Sequence, residues 1–178
     1  MWVKGIPYQR SMGKMGTCLA LVLTAGSAVA QQKDRVSFKA PAEDKYTQQQ
    51  NIAVGDIPGH IVRSFEIYRT FPANNAPVIN GIKLIAEWDR GIADYVDANG
   101  SGTVYSVYMM DDGDKFFDRT TLLVQTTSEK LVATNVGIIT GGTGRFAGMQ
   151  GIVRMSTTID PKAGVSETET TIEYSVGK

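Results

Sequence analysis

From Ile57 onward, hydrophobic and polar residues alternate with a period of two, in short runs broken by turn-forming residues. No stretch of about twelve residues keeps apolar positions at i, i+3, i+4 and i+7, so amphipathic helices are not expected. The pattern predicts strands over Ile61–Thr70, Gly81–Asp89, Gly91–Val96, Thr103–Met110, Lys115–Thr126, Leu131–Ile139, Gly151–Ile159 and Thr168–Val176. In the second, Ile82, Leu84, Ala86 and Trp88 share one face, and Lys83 and Glu87 the other. Asn99-Gly100 and Asp111-Asp112-Gly113-Asp114 read as hairpin turns. Eight strands with short connections predict an all-β fold. Closing them into an eight-stranded antiparallel, calycin-like barrel removes exposed edges, and a two-sheet sandwich is the alternative. Residues 31–56 are polar and irregular, with Pro41 and the run Gln48-Gln49-Gln50. They read as a flexible arm, with room for one strand, ahead of a barrel domain over 57–178.

The first thirty residues follow another pattern. Lys4, Arg10 and Lys14 precede a short apolar run, Met15 to Ala25, and Ala28-Val29-Ala30 supplies a small-x-small ending. This is the layout of a cleaved secretory signal, and the run is short for a bilayer span. Its removal changes the charge. The full chain balances 18 bases against 18 acids, but three bases and no acids precede Gln31, so residues 31–178 carry a net −3. Neither balance suits a nucleic-acid binder held by a basic surface. The single cysteine, Cys18, leaves with the leader, and His60 is the only histidine. Multi-cysteine and multi-histidine metal sites are thereby excluded, and no cofactor is expected. After the leader no apolar run is long enough to span a membrane, so a secreted or periplasmic protein is expected.

Few residues remain to carry chemistry. Gly141-Gly142-Thr143-Gly144-Arg145-Phe146-Ala147-Gly148 invites a phosphate-loop reading, but strand residues follow it where a helix N-terminus is needed. A tight corner at a barrel rim accounts for it better. Asp97 to Tyr108 begins like a calcium loop, but its twelfth position is Tyr108 where Glu is required. Asp111, Asp112, Asp114 and Asp118 read as a solvated hairpin tip. In Arg63–Arg69, alternation puts Ser64, Glu66 and Tyr68 on one face. Facing an apolar interior, the Glu66 carboxyl would have a raised pKa and serve as acid, base or cation-steering group. Facing outward, it would meet solvent or an arginine on the next strand. His60 reads as a rim or capping residue. Tyr105 and Tyr108 fall on opposite faces of their strand, so at most one lines an interior.

Ile138-Ile139-Thr140-Gly141-Gly142-Thr143-Gly144-Arg145-Phe146-Ala147-Gly148, followed by Gly151, resembles the glycine-rich corner of the allene oxide cyclase and dirigent barrel superfamily. Tyr105-Ser106-Val107-Tyr108 before Asp112-Gly113 resembles the cyclase's central hairpin, and Phe65-Glu66-Ile67-Tyr68 its first barrel strand. The similarity spans residues 60–176. It implies an eight-stranded barrel, often a homotrimer, with a mostly apolar cavity that holds one conformer of a reactive intermediate. Gly141, Gly142, Gly144, Phe146 and Gly148 would form the structural corner. Glu66 is the one cyclase catalytic residue with a counterpart. The cyclase cysteine falls near Ala93, and its tyrosine before the corner is missing, so allene oxide cyclase activity itself is not expected.

The resulting expectation is a secreted or periplasmic barrel that binds a small hydrophobic molecule in its lumen. It would guide a cyclisation or coupling, as an isomerase-like or dirigent-like protein. Glu66 would steer, with Tyr68, Trp88, Tyr105 and Tyr108 as candidate walls. A non-catalytic carrier, or an envelope interaction protein with a filled barrel, are the alternatives.

Overall fold

Residues 33–40, 45–127, 130–160 and 165–177 are described in a computed structural model of the chain. The expected signal peptide and its cleavage site lie outside the described residues. The elements are β1 (Asp34–Lys39), β2 (Lys45–Ala53), β3 (His60–Thr70), β4 (Val78–Ile79), β5 (Ile82–Val96), β6 (Asn99–Met110), β7 (Lys115–Thr126), β8 (Leu131–Gly142), a 3₁₀ turn (Gly144–Phe146), β9 (Gln150–Asp160) and β10 (Val165–Ser175). Every pairing among the described residues is antiparallel. The strand order is β1-β10-β9-β8-β7-β6-β5-β3-β2, with β4 added beside β5.

The expected all-β meander is thus present, with more strands than the eight predicted. The segment read as an arm carries β1 on the β10 edge and β2 on the β3 edge. No described pairing joins β1 to β2, which end the run. They are nevertheless consecutive in the chain, separated only by residues 40–44. Such a link reaches about 20 Å fully extended, so the sheet has to curl until its ends approach each other. The curl encloses an interior, and inward residues of β2, β3, β5, β6, β7, β8 and β9 line one common cavity.

Two further differences concern register. The strands expected over Gly81–Asp89 and Gly91–Val96 are one strand, β5. Its pairing with β6 slips between Leu84 and Ala86, leaving Ile85 as an extra residue. A bulge of this kind reverses the parity of everything beyond it. Ile82 and Leu84 face inward as expected, but past the bulge Ala86 falls in register with Met109 on the other face, Glu87 and Asp89 turn in and are buried, and Trp88 is not buried. The hairpin expected at Asn99-Gly100 sits two residues earlier. Asp97 and Ala98 adopt φ of 48° and 60°, as a two-residue type I′ connection requires. Asn99 instead braces the turn, its Oδ1 accepting from the Thr126 N–H at 2.7 Å.

The glycine-rich corner folds as expected of a tight rim. Gly144 takes φ +46°, and a Cβ there would run into the Asp114 carboxylate, which accepts the Arg145 N–H at 2.7 Å. Thr143 pairs with Lys115 through its N–H (2.8 Å) and its Oγ1 (2.9 Å). The corner is thereby fastened to the β6–β7 hairpin. Phe146 is fully buried and tilts against Phe116 with ring centroids 5.6 Å apart. Burial of two such rings supplies about 2–3 kcal/mol each.

The interior is layered. One apolar cluster gathers Phe71, Ile79, Ile82, Leu84, Met110, Phe116, Phe146 and Met149 at the corner end. A second holds Ala93, Tyr95, Val104, Leu122 and Val124 at the other. Along β5, β6 and β7 the inward residues between the two clusters are polar: Glu87 and Asp89, Ser106, and Asp118 with Thr120.

Candidate functional site

Cross-strand partners in an antiparallel sheet share a face, so the registers decide which side chains meet. Ile67, Asp89, Ser106 and Asp118 form one inward row across β3, β5, β6 and β7. Arg69, Glu87, Tyr108 and Phe116 form the next. The two rows make a buried layer of three carboxyls, one guanidinium, one phenol and one serine hydroxyl. Arg69 bonds Asp89 Oδ2 through Nη1, and the same nitrogen lies 3.5 Å from Glu87 Oε2. Tyr108 stacks flat on Phe116 at 4.2 Å and donates its hydroxyl to Asp118 Oδ2 at 2.9 Å.

Three carboxyls against a single guanidinium cannot all ionise cheaply in a dry interior. Asp118, only 2% exposed, carries the strain: burial pushes its pKa up to about 7, with the nearby Asp89 adding to the rise and the Tyr108 hydrogen bond opposing it. The Tyr108 phenol is itself raised well above its ordinary value, first by burial and then by the carboxyls around it.

Above this layer the curled sheet leaves a cavity of about 200 Å³. Its walls are largely apolar, with Ile61, Phe65, Ile67, Tyr95, Leu122, Val124, Leu131 and Met155 among them. Arg69, Asp89, Asn135 and Thr157 bring polar groups to it. Asn135 donates to Thr120 Oγ1 at 3.2 Å, and Thr157 shares a hydrogen bond with Thr168 at 2.9 Å, so both are already partnered. Asp89 is different: it is 4% exposed, and its Oδ1 has no hydrogen-bond partner among the described residues. A buried acceptor without a donor is costly, and this one belongs to a residue of the cavity wall.

Glu66 lies elsewhere. It pairs with Arg90 across β3 and β5 on the outer face, with Arg90 Nε 2.9 Å from Oε2 and Thr47 Oγ1 2.6 Å from Oε1. The Thr47 hydrogen bond is the largest cause holding its pKa below the ordinary carboxylate value. The outward alternative is the one realised, and Glu66 is not an interior acid. Tyr68 and Trp88 also stand on that outer face, ring to ring at 5.8 Å, and Tyr105 is exposed there. Of the four expected wall residues only Tyr108 turns inward, and it lies within the acid layer beneath the cavity. The opposite facing of Tyr105 and Tyr108 is as the alternation predicts.

The sequence groups Asp118 with the hairpin-tip acids, and the structure separates it from them. Asp112 and Asp114 do serve the tip, capping the Asp114 and Arg145 N–H groups. Asp118 belongs to the inward series Phe116, Asp118, Thr120, Leu122, Val124. That alternation was legible in the sequence. For Glu87 and Asp89 the Ile85 bulge concealed the signal. His60 is also better partnered than a rim residue need be. Its Nδ1 is 2.6 Å from Asp56 Oδ1 and its Nε2 2.8 Å from Asp94 Oδ1, and the Asp56 contact is the first cause raising its pKa.

No family model and no curated protein sequence matches the chain. Among solved structures, a pterocarpan synthase dirigent protein superposes with a TM-score of 0.50 at 14% identity, covering 89% of this chain and 100% of its own. A second pterocarpan synthase dirigent protein gives a TM-score of 0.50 at 13% identity, covering 83% and 97%. The chain has a dirigent-like barrel fold, as the glycine-rich corner led one to expect.

Proposed function

We propose that the protein is of dirigent type: it holds a compact, hydroxylated, mostly apolar molecule in its cavity and guides that molecule's coupling or ring closure. The observation that carries this reading is the largely apolar cavity with the Arg69–Asp89 pair in its wall, where Asp89 keeps one carboxylate oxygen without a hydrogen-bond partner among the described residues. The structural neighbours, pterocarpan synthase dirigent proteins, support it as analogy of fold. At about 200 Å³ the cavity is smaller than the usual drug-sized pocket of about 300–1,000 Å³, which favours a molecule of one or two rings.

The apolar walls select one folded conformer of the ligand, which replaces a costly ordering step. Asp89 accepts a ligand O–H, and Arg69 fixes the carboxylate that does so. In a ring closure the attacking hydroxyl's O–H bond breaks as its oxygen bonds an electrophilic carbon of the same molecule, whose π bond opens onto a neighbouring ligand atom. Asp89 takes the proton and returns it to the atom that received that pair. Asp118, with its pKa near 7, gives the layer a group that gains or loses a proton close to neutral pH. The apolar leader ending Ala28-Val29-Ala30 supports a secreted or periplasmic setting.

The test uses a panel of simple phenols. Binding is measured by calorimetry, and the enantiomeric excess of the product is measured when a one-electron oxidant generates the phenoxyl radicals. Wild type is expected to bind one phenol class and give a non-racemic product. Asp89→Asn should weaken binding about tenfold or more, as loss of a hydrogen bond to a charged group does. Binding with a racemic product would leave a carrier. Absence of binding across the panel would remove the cavity reading altogether.

A further inference from the structure

The residues expected in the lumen and found outside it are themselves clustered. On the outer face, between the edge strand β2 and β6, lies a groove of about 620 Å³. Gln48 and Gln50 line it from β2, Glu66 from β3, Arg90 and Ile92 from β5, and Tyr105 from β6. The register explains the assembly: Gln48 faces Glu66, Glu66 faces Arg90, and Arg90 faces Tyr105 in one row across four strands. Gln50, Ser64 and Ile92 form the next row.

We propose that this groove binds a neutral saccharide. Its one cation and one anion are spent on each other, Arg90 on Glu66 at 2.9 Å, so it offers no net charge to recruit an ion. Its apolar part is the exposed Tyr105 ring and Ile92, while Trp88 lies under Arg90 and supports it from outside the lining. The Arg90 guanidinium lies 3.7 Å from the centroid of the Trp88 ring, Tyr105 is 55% exposed and Ile92 63% exposed. An exposed aromatic ring such as Tyr105 takes the C–H face of a sugar ring, its amphipathic character serving both halves of the ligand. The polar part is two glutamine amides, each carrying donors and acceptors together, the combination that vicinal hydroxyls require. Thr47 and Arg90 fix both oxygens of Glu66, so the groove is ordered before the ligand arrives. Among the lining residues an acidic or phosphorylated ligand meets no cation but the paired Arg90, the next cation in the row being Arg119, beside Tyr105 and outside the lining, and a purely apolar ligand would strand the amides.

Isothermal titration of the full chain with cello-, xylo-, manno- and chito-hexaoses tests this, with an oligogalacturonate as the charged control. At least one neutral oligosaccharide is expected to bind with a micromolar to millimolar Kd, little changed by added salt. Tyr105→Ala, a change at an exposed position, should weaken it about tenfold, and Gln50→Ala about threefold. Asp89→Asn, which alters the cavity, should leave it unchanged. The proposal is overturned if no neutral oligosaccharide binds at about 10 mM, or if only the galacturonate binds and salt removes it. Undiminished binding by Tyr105→Ala overturns it as well. Light scattering of the same variants gives the remaining contrary outcome. If Tyr105→Ala converts a larger assembly to monomer while no sugar binds the wild type, the groove is a contact between copies and not a saccharide site.

Discussion

Asp118 sits on a strand whose other inward residues are Phe116, Thr120, Leu122 and Val124, so its carboxyl gives up hydration for the Tyr108 phenol and the neighbouring Ser106. Its pKa of about 7 when folded, against 3.8 as the ordinary value, makes it an acid that holds its proton more tightly in the folded state. Such a group costs nothing below the unfolded pKa, where both states are protonated. From about pH 4 to about pH 7 the unfolded chain ionises first and stability falls, and above that the full cost remains. Asp118→Asn keeps an oxygen for Tyr108 and removes the ionisation. Its stability relative to wild type should therefore rise between about pH 4 and 7 and level off above, by at most about 4 kcal/mol. Urea unfolding of both proteins at several pH values reads this directly, and a difference that is flat with pH would contradict it. Much of this was legible in the sequence, since the alternation through 116–124 already points Asp118 inward. It was hidden by the neighbouring run of surface acids, which drew Asp118 into their company.

At the scale of the element, the decisive feature is one extra residue in β5. Ile85 is half-exposed, and its side chain does little, but its presence turns Glu87 and Asp89 in and Trp88 out. A period of two cannot announce a bulge, because each half of the strand alternates correctly on its own. This is why Trp88 reads as interior from the first half and why the acids read as surface. Ile85→Thr should stay within about 0.5 kcal/mol of wild type. Deleting residue 85 instead places two carboxylates in solvent and drives Trp88 and Arg90 toward the acid layer. Thermal unfolding should show that the deletion is not stably folded, a loss of more than about 4 kcal/mol. Equal behaviour of the two variants would mean that parity is set elsewhere. The strand Lys115–Thr126, by contrast, has no bulge of its own and was readable to its ends.

At the scale of the molecule, the two strands hidden in the supposed arm decide how the curled sheet ends. The sequence leaves room there for one strand, and it marks neither clearly, for different reasons. β2 is exposed on both faces from Tyr46 to Ala53, so burial imposes no alternation on Lys45-Tyr46-Thr47-Gln48-Gln49-Gln50. β1 does alternate, with Val36 and Phe38 turned toward the corner cluster, but it is six residues long and isolated in a polar stretch. Phe38 meets Phe71 edge-on at 5.7 Å, and six register pairs bind β1 to β10. A chain that begins after residue 40 therefore loses more than a tail. It strips two apolar side chains from the core and leaves β10, the last strand, with a bare edge. Truncation there is expected to cost about 3–5 kcal/mol and to promote association through the new edge, whereas a chain that begins at Gln31 should unfold at the wild-type temperature. Calorimetry of the two truncations, with light scattering on each, distinguishes a structural edge strand from a spacer. Equal melting temperatures would show that β1 adds nothing to the sheet it borders.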